Sequence, residues 1–187
     1  MKILKFQKNK VYLENDEIID INRDIKAKYR IKTDGEISID EYHNIIYDSA
    51  LSKSYFLLSK RDYTVRELLQ KMRVRYKRSS IVENQLQKVI SKLSELGYLD
   101  DYSYANSYIR MKKKLGRKRI EYELNLKGID SSTINAIYGE QEMDEKKIIS
   151  DLFHKVKNRE RDKQIAYFMR RGFKLSDILD VLKEGDS

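Results

Sequence analysis

Cysteine, proline and tryptophan are absent from this 187-residue chain, and only seven glycines are present. Average usage would supply about nine prolines and about thirteen glycines at this length, so both chain breakers are scarce. Without cysteine, a disulfide-stapled secreted scaffold and zinc–thiolate sites are excluded. So few glycines exclude a collagen-like repeat. Long hydrophobic runs are missing too. Met1-Lys2-Ile3-Leu4-Lys5-Phe6 alternates apolar and basic residues, and nothing after it reads as a signal peptide or a membrane span. A cytoplasmic protein with no membrane partner is expected. What is present is a Lys/Glu/Leu/Ile-rich mixture of helix formers with 14 tyrosines. At 40% hydrophobic residues it can bury a core despite 37% charged ones.

The chemistry of catalysis is equally thin. His43 and His154 are the only histidines, and no HExxH, GxxxxGK[ST] or GxGxxG motif occurs. Zinc-based or histidine-based catalysis lacks its ligands and bases, and a phosphate-cradling loop lacks its glycines. Asp100-Asp101 could be a carboxylate pair for a metal. It also reads as a helix N-cap following Gly97-Tyr98-Leu99, the stronger preference of aspartate at such a position. No catalytic residue, metal or cofactor is assigned, and the chain is not expected to be an enzyme.

Charge is unevenly placed. Residues 1–48 carry 9 basic and 10 acidic side chains, whereas residues 49–99 carry 11 and 4. The remaining two segments, 100–143 and 144–187, are near balance at 8 against 7 and 11 against 9. Two runs stand out. Lys71, Arg73, Arg75, Lys77 and Arg78 put five cations in eight residues. Arg110, Lys112, Lys113, Lys114, Arg117, Lys118 and Arg119 put seven in ten, with no acid among them. Such a run can be a solvated helix face, but acids interleaved at i,i+4 would then be expected. The other use of unpaired positive charge is phosphate binding, driven by counterion release. Tyr102, Tyr104, Tyr108 and Tyr122 flank the second run, where their helical spacing suits core packing and their rings could stack on bases.

Periodicity divides the chain further. Residues 1–37 read as short strands around the polar pairs Lys8-Asn9 and Asn15-Asp16, a hairpin or three-stranded meander, with a helical turn at 24–30. From Asp40 the apolar period becomes helical. Expected N-caps are Asp40, Thr64 (with Glu67 completing a capping box), Ser79 or Ser80, Asp100 or Asp101, Ser131 or Ser132, and Ser176. Gly97, Gly116, Gly128, Gly139 and Gly172 are expected as left-handed residues ending helices. Lys127-Gly128-Ile129 with Ser132, Ile134 and Ile137 superposes on Arg171-Gly172-Phe173 with Ser176, Ile178 and Val181 at a constant offset of 44. Glu67-Leu68-x-x-Lys71 echoes Glu123-Leu124-x-x-Lys127, followed by an insertion.

The expected fold is therefore mainly α. An N-terminal β hairpin or meander (1–39) precedes three tandem three-helix repeats at 40–99, 100–143 and 144–187. Triplets unable to bury a face alone would stack into an elongated, curved array.

The residues also carry a family resemblance. Gly97-Tyr98-Leu99-Asp100-Asp101-x-x-Tyr104-Ala105-x-x-Tyr108, then Gly116-x-x-x-Ile120-x-x-Glu123-Leu124-x-x-Lys127-Gly128-Ile129, resembles the central signature of the RecX family, regulators of the RecA recombinase. Residues 50–68 resemble its first repeat and Arg170-Arg171-Gly172-Phe173 the end of its third, so the resemblance spans roughly 48–183. The resemblance implies a monomer whose partners are the recombinase filament and single- and double-stranded DNA. It implies a position along the filament groove, where the protein inhibits or remodels the filament and lowers ATPase, strand exchange and repressor cleavage. The two basic runs and Arg170 and Arg171 are then the candidate contacts. A free-standing helical DNA-binding or architectural protein is the alternative.

Overall fold

The computed structural model describes residues 1–76, 79–141 and 143–184. The chain divides into two compact units, Met1–Asp100 and Asp101–Ser187.

The first unit opens with an antiparallel sheet in the order β1 (Ile3–Gln7), β2 (Lys10–Leu13) and β3 (Ile18–Asp20). Lys8 and Asn9 both adopt positive φ between Gln7 and Lys10. That turn has the twist a two-residue hairpin needs. Strand alternation turns Val11, Leu13 and Ile19 inward. The short helix α1 (Arg23–Lys28) then leads to α2 (Ile39–Leu58), α3 (Val65–Arg75) and α4 (Ser80–Glu95). One apolar cluster runs from Ile3 through Ile45, Ile46 and Leu68 to Leu93 and Leu99. The meander thus shares its core with the helices that follow.

Helix starts obey capping chemistry more closely than the apolar pattern suggests. The first long helix begins at Ile39 with Ser38 as its N-cap, not Asp40. Ser38 Oγ accepts from the Glu41 amide at 3.1 Å and the Ser38 amide donates to Glu41 Oε2 at 2.8 Å. That reciprocal pair needs a glutamate three residues on, which Asp40 does not have. Thr64 with Glu67, and Ser79, cap α3 and α4 as expected.

The second unit contains α5 (Asp101–Met111), α6 (Arg117–Leu126), α7 (Ser131–Glu140), α8 (Glu145–Phe153), α9 (Arg161–Arg170) and α10 (Leu175–Glu184). Positions 44 apart are buried alike: Ala105 and Ile149, Leu124 and Phe168, Ile129 and Phe173, Ile134 and Ile178. Contrary to expectation, each triplet closes its own apolar cluster. Short connections let the third helix fold back over the first two, so burial does not wait for a neighbour. One equivalence breaks chemically. Ile120 corresponds to Gln164, only 8% exposed. Gln164 Nε2 lies 3.2, 3.3 and 3.0 Å from the carbonyls of Val156, Lys157 and Arg159. It supplies donors to carbonyls of the α8–α9 connection, which an isoleucine could not.

Further corrections concern caps and glycines. Asp130, not Ser131 or Ser132, caps α7, its Oδ1 accepting from the Thr133 amide at 2.8 Å. Ser176 lies inside α10, which begins at Leu175. Gly97, Gly128 and Gly172 end their helices at φ +74°, +91° and +89°. Gly116 does not: at φ −73° it is the N-cap of α6. Gly139 sits within α7.

Candidate functional site

The described part of the first basic run lies at the C-terminal end of α3, and Arg73 and Arg75 are both engaged. Arg73 makes a two-pronged pair with Glu83, Nε to Oε2 at 3.0 Å and Nη2 to Oε1 at 2.6 Å. Arg75 pairs with Asp20 at the end of β3. Tyr76 is buried behind them, its hydroxyl 2.8 Å from Ser49 Oγ. Burial pushes that phenol up to about 12. Lys71 is exposed with no acidic partner among the described residues, and Lys77 and Arg78 lie outside those residues.

Hydrogen bonds from the Arg73 guanidinium, and then from Gln87, hold the Glu83 carboxyl down at about 2. The pair therefore stays ionised through mild acid and leaves Arg73 little free charge. A depressed carboxylate contributes stability above its unfolded value, and that contribution fades as pH falls toward 2. In a carboxylate NMR titration Glu83 should titrate near 2 and return to the ordinary glutamate range in Arg73→Gln.

The second run spans the end of α5, the connection and the start of α6. Arg117 turns inward: its Nε donates to Glu121 Oε1 at 2.5 Å and its Nη2 to Asn135 Oδ1 at 2.6 Å. Its guanidinium also covers the Tyr138 ring at 4.5 Å. Arg119 Nε donates to Glu123 Oε1 at 2.6 Å. The i,i+4 acids were present after all, just beyond the end of the run. Lys112 leans over Tyr108 at 5.8 Å. Exposed Arg110, Lys113, Lys114 and Lys118 have no acidic partner among the described residues. The planar guanidinium fork suits fixed carboxylate pairing, whereas a lysine ammonium on a flexible stem more readily stays in solvent.

Folding brings Arg170 and Arg171 to this run. The Gly116 amide donates to the Arg171 carbonyl at 2.9 Å, and Arg171 Nη1 reaches the Lys114 carbonyl at 3.5 Å. Arg171 also lies over Tyr167 at 4.6 Å, while Arg170 is exposed. The contact depends on two glycines. A Cβ on Gly116 would stand 2.4 Å from Gly172 C and O and from Phe173 N. Because Gly116 has no side chain to cap α6, Glu145 from α8 does so, its Oε1 accepting from the Arg117 amide at 2.5 Å. Burial raises the Glu145 carboxyl above its ordinary value against that hydrogen bond.

The tyrosines divide. Tyr104 and Tyr108 stack at 6.3 Å and pack on the α5–α7 core, with the Tyr108 hydroxyl on Glu123 Oε2 at 2.6 Å. Tyr102 donates to Glu140 at 2.5 Å. Tyr122, 57% exposed, is the one most open to a stacking partner.

A third concentration of cations escaped the sequence reading. Arg23, Lys26, Arg30 and Lys32 surround a cleft floored by Phe6 and Ile31. The net charge of −1 over residues 1–48 conceals it. The sequence signal was the spacing of Arg23, Lys26 and Arg30, each about one helical turn from the next.

Among the described residues no group of His, Cys, Asp and Glu side chains is placed to hold a metal. His154 Nδ1 is 2.8 Å from the Asp151 carbonyl, a local helix-end contact. No described helix is long and apolar enough to cross a membrane.

The family model described as "RecX, second three-helix domain" matches residues 100–136. Regulatory protein RecX of Vibrio vulnificus is 34% identical over 137 residues, covering 68% of this chain and 87% of that protein. The Geobacillus kaustophilus protein of the same name is 28% identical over 181 residues, and this chain spans 66% of its length. A crystal structure of regulatory protein RecX superposes with a TM-score of 0.64 at 18% identity, covering 98% of this chain and 100% of that one. RecX from Lactobacillus salivarius gives 0.62 at 22% identity, over 75% and 97% of the two chains. These likenesses support the mainly helical fold, and the Vibrio relative places the sequence: the chain belongs to the RecX family of regulatory proteins.

Proposed function

We propose that the protein regulates the RecA recombinase without chemistry of its own, by binding the RecA–DNA filament and inhibiting or remodelling it. The observation that carries this reading is membership of the RecX family. The cations Arg110, Lys113, Lys114, Lys118 and Arg170, which have no acidic partner among the described residues, supply the physical means. A filament offers phosphates and acidic protein surface, and lysines not held by carboxylates can meet either without first breaking an ion pair. Lys71 is the corresponding candidate of the first unit. Arg73, Arg75, Arg117 and Arg119 are better understood as supports that orient those helices.

The test is the single-stranded-DNA-dependent ATPase of RecA titrated with this protein. A fall in ATPase at protein concentrations well below that of the recombinase supports the reading. An unchanged ATPase at saturating protein contradicts it. Tight binding to bare DNA with no effect on the recombinase would favour the free-standing DNA-binding alternative.

A further inference from the structure

The backbone beneath the second basic run is gripped by the third triplet. Arg171 Nη1 reaches the Lys114 carbonyl at 3.5 Å, and the Gly116 amide donates to the Arg171 carbonyl at 2.9 Å. The Arg117 amide donates to Glu145 Oε1 at 2.5 Å. Arg171 is the C-cap of α9 and Glu145 the first residue of α8. The run supplies no such anchor itself. Gly116 has no side chain to cap α6, and Lys113, Lys114 and Lys118 have no acidic partner among the described residues.

Glu145 is the odd member of this set. An acid beside a cluster of cations lowers the local positive potential, so charge alone makes it a hindrance to an anionic partner. Its geometry gives it the opposite role. The first amides of a helix have no partner within that helix, and Glu145 supplies one from a different triplet. Without it the Arg117 amide would turn to water and the start of α6 would loosen. Arg117 is also the hub of this corner, its guanidinium held by Glu121 and Asn135 and lying over the Tyr138 ring. A cavity of about 320 Å³ lies beside Glu145, lined also by Tyr138, Lys174 and Asp177. Close packing therefore does not hold the start of α6 on that side, and the carboxylate does.

We propose that Glu145 is a positioning residue for recombinase regulation. By capping α6 from the neighbouring triplet, it fixes the start of that helix and so the directions in which Lys113, Lys114 and Lys118 leave the backbone. Groups held in their bound arrangement lose less freedom on association, which is where such a residue gains affinity without touching the partner. The inference rests on the proposed function and adds the part played by the third triplet.

The experiment compares the full-length wild type with Glu145→Ala and Glu145→Gln. Both variants remove the same negative charge, but only glutamine keeps an oxygen that can accept from the Arg117 amide. Burial already works against the charge of Glu145, so the neutral amide suits the position. Each protein is titrated into the single-stranded-DNA-dependent ATPase of RecA, and amide hydrogen exchange is followed at Gly116 and Arg117. Glu145→Ala should inhibit about tenfold less well, the scale of one hydrogen bond to a charged group. Its Arg117 amide should exchange faster while Gly116, still bonded to Arg171, keeps its protection. Glu145→Gln should restore both inhibition and Arg117 protection. Stronger inhibition by both variants would make Glu145 a simple counter-charge and overturn the proposal. Inhibition by Glu145→Ala equal to wild type overturns it too. So does loss of protection at Gly116 in that variant, because Glu145 would then hold the triplets together and not position the run. Wild type without effect on the ATPase is a different failure, which overturns the proposed function and this inference with it.

Discussion

Alanine at Gly116 should destabilise the protein by about 3 kcal/mol, the sum of roughly 1–3 kcal/mol for overpacking and about 1 kcal/mol for a lost hydrogen bond. The new Cβ would meet backbone atoms of Gly172 and Phe173 at 2.4 Å, and backbone cannot rotate aside as a side chain can. The α9–α10 turn must back away, breaking the bond from the Gly116 amide to the Arg171 carbonyl. Gly172→Ala should cost at least as much, because its Cβ would lie 2.4 Å from Arg119 N and Cβ with φ already at +89°. The double variant should cost less than the sum of the two. Once either methyl has opened the contact, the second adds mainly its own backbone strain. Gly139→Ala is the control of opposite sign. It sits within α7 with nothing within 4 Å of its Cβ, so helix propensity should make alanine stabilising by about 0.5–1 kcal/mol. Thermal unfolding reads all four variants, with a fall of roughly 10 °C for Gly116→Ala and a rise for Gly139→Ala.

The second large effect concerns function. Reversing Lys113, Lys114 and Lys118 together to glutamate should weaken inhibition of the recombinase ATPase about 100-fold at physiological salt, from three lost phosphate-type contacts at close to a factor of five each. All three are exposed and have no acidic partner among the described residues, so the fold has little to lose. Far-ultraviolet circular dichroism and the melting temperature should stay close to wild type. Arg117→Glu should behave differently. It removes the partner of Glu121, Asn135 and the Tyr138 ring, and stability should fall along with activity. Equal inhibition by the triple variant and wild type would reduce the run to a solvated face.

These two predictions also mark where the sequence was legible. The left-handed glycines could be read because each follows an apolar stripe and precedes a buried Leu99, Ile129 or Phe173. Gly116 was misread because a one-letter code does not separate a glycine needed for positive φ from one needed for a missing Cβ. The offset of 44 held the clue. Gly116 aligns with Glu160, the N-cap of α9, and glutamate at an equivalent position argues against a left-handed backbone. The third triplet has no turn docked at Glu160 among the described contacts, so a side chain fits there. The basic runs were visible, but their pairing was not. Arg75 finds Asp20 across 55 residues, and only the folded unit brings them together. Arg117 and Arg119 find acids one helical turn away that a count stopping at Arg119 does not include. The cleft around Phe6 was hidden for the same reason: acids close in sequence point elsewhere in space.

The most direct test of the central claim is cosedimentation of the protein with RecA filaments assembled on single-stranded DNA, beside the same DNA without recombinase. The expected result is preferential pelleting with filaments, lost in the Lys113, Lys114 and Lys118 triple reversal while the variant remains folded. Pelleting with bare DNA as strongly as with filaments, or retention of the triple variant on filaments, would contradict it.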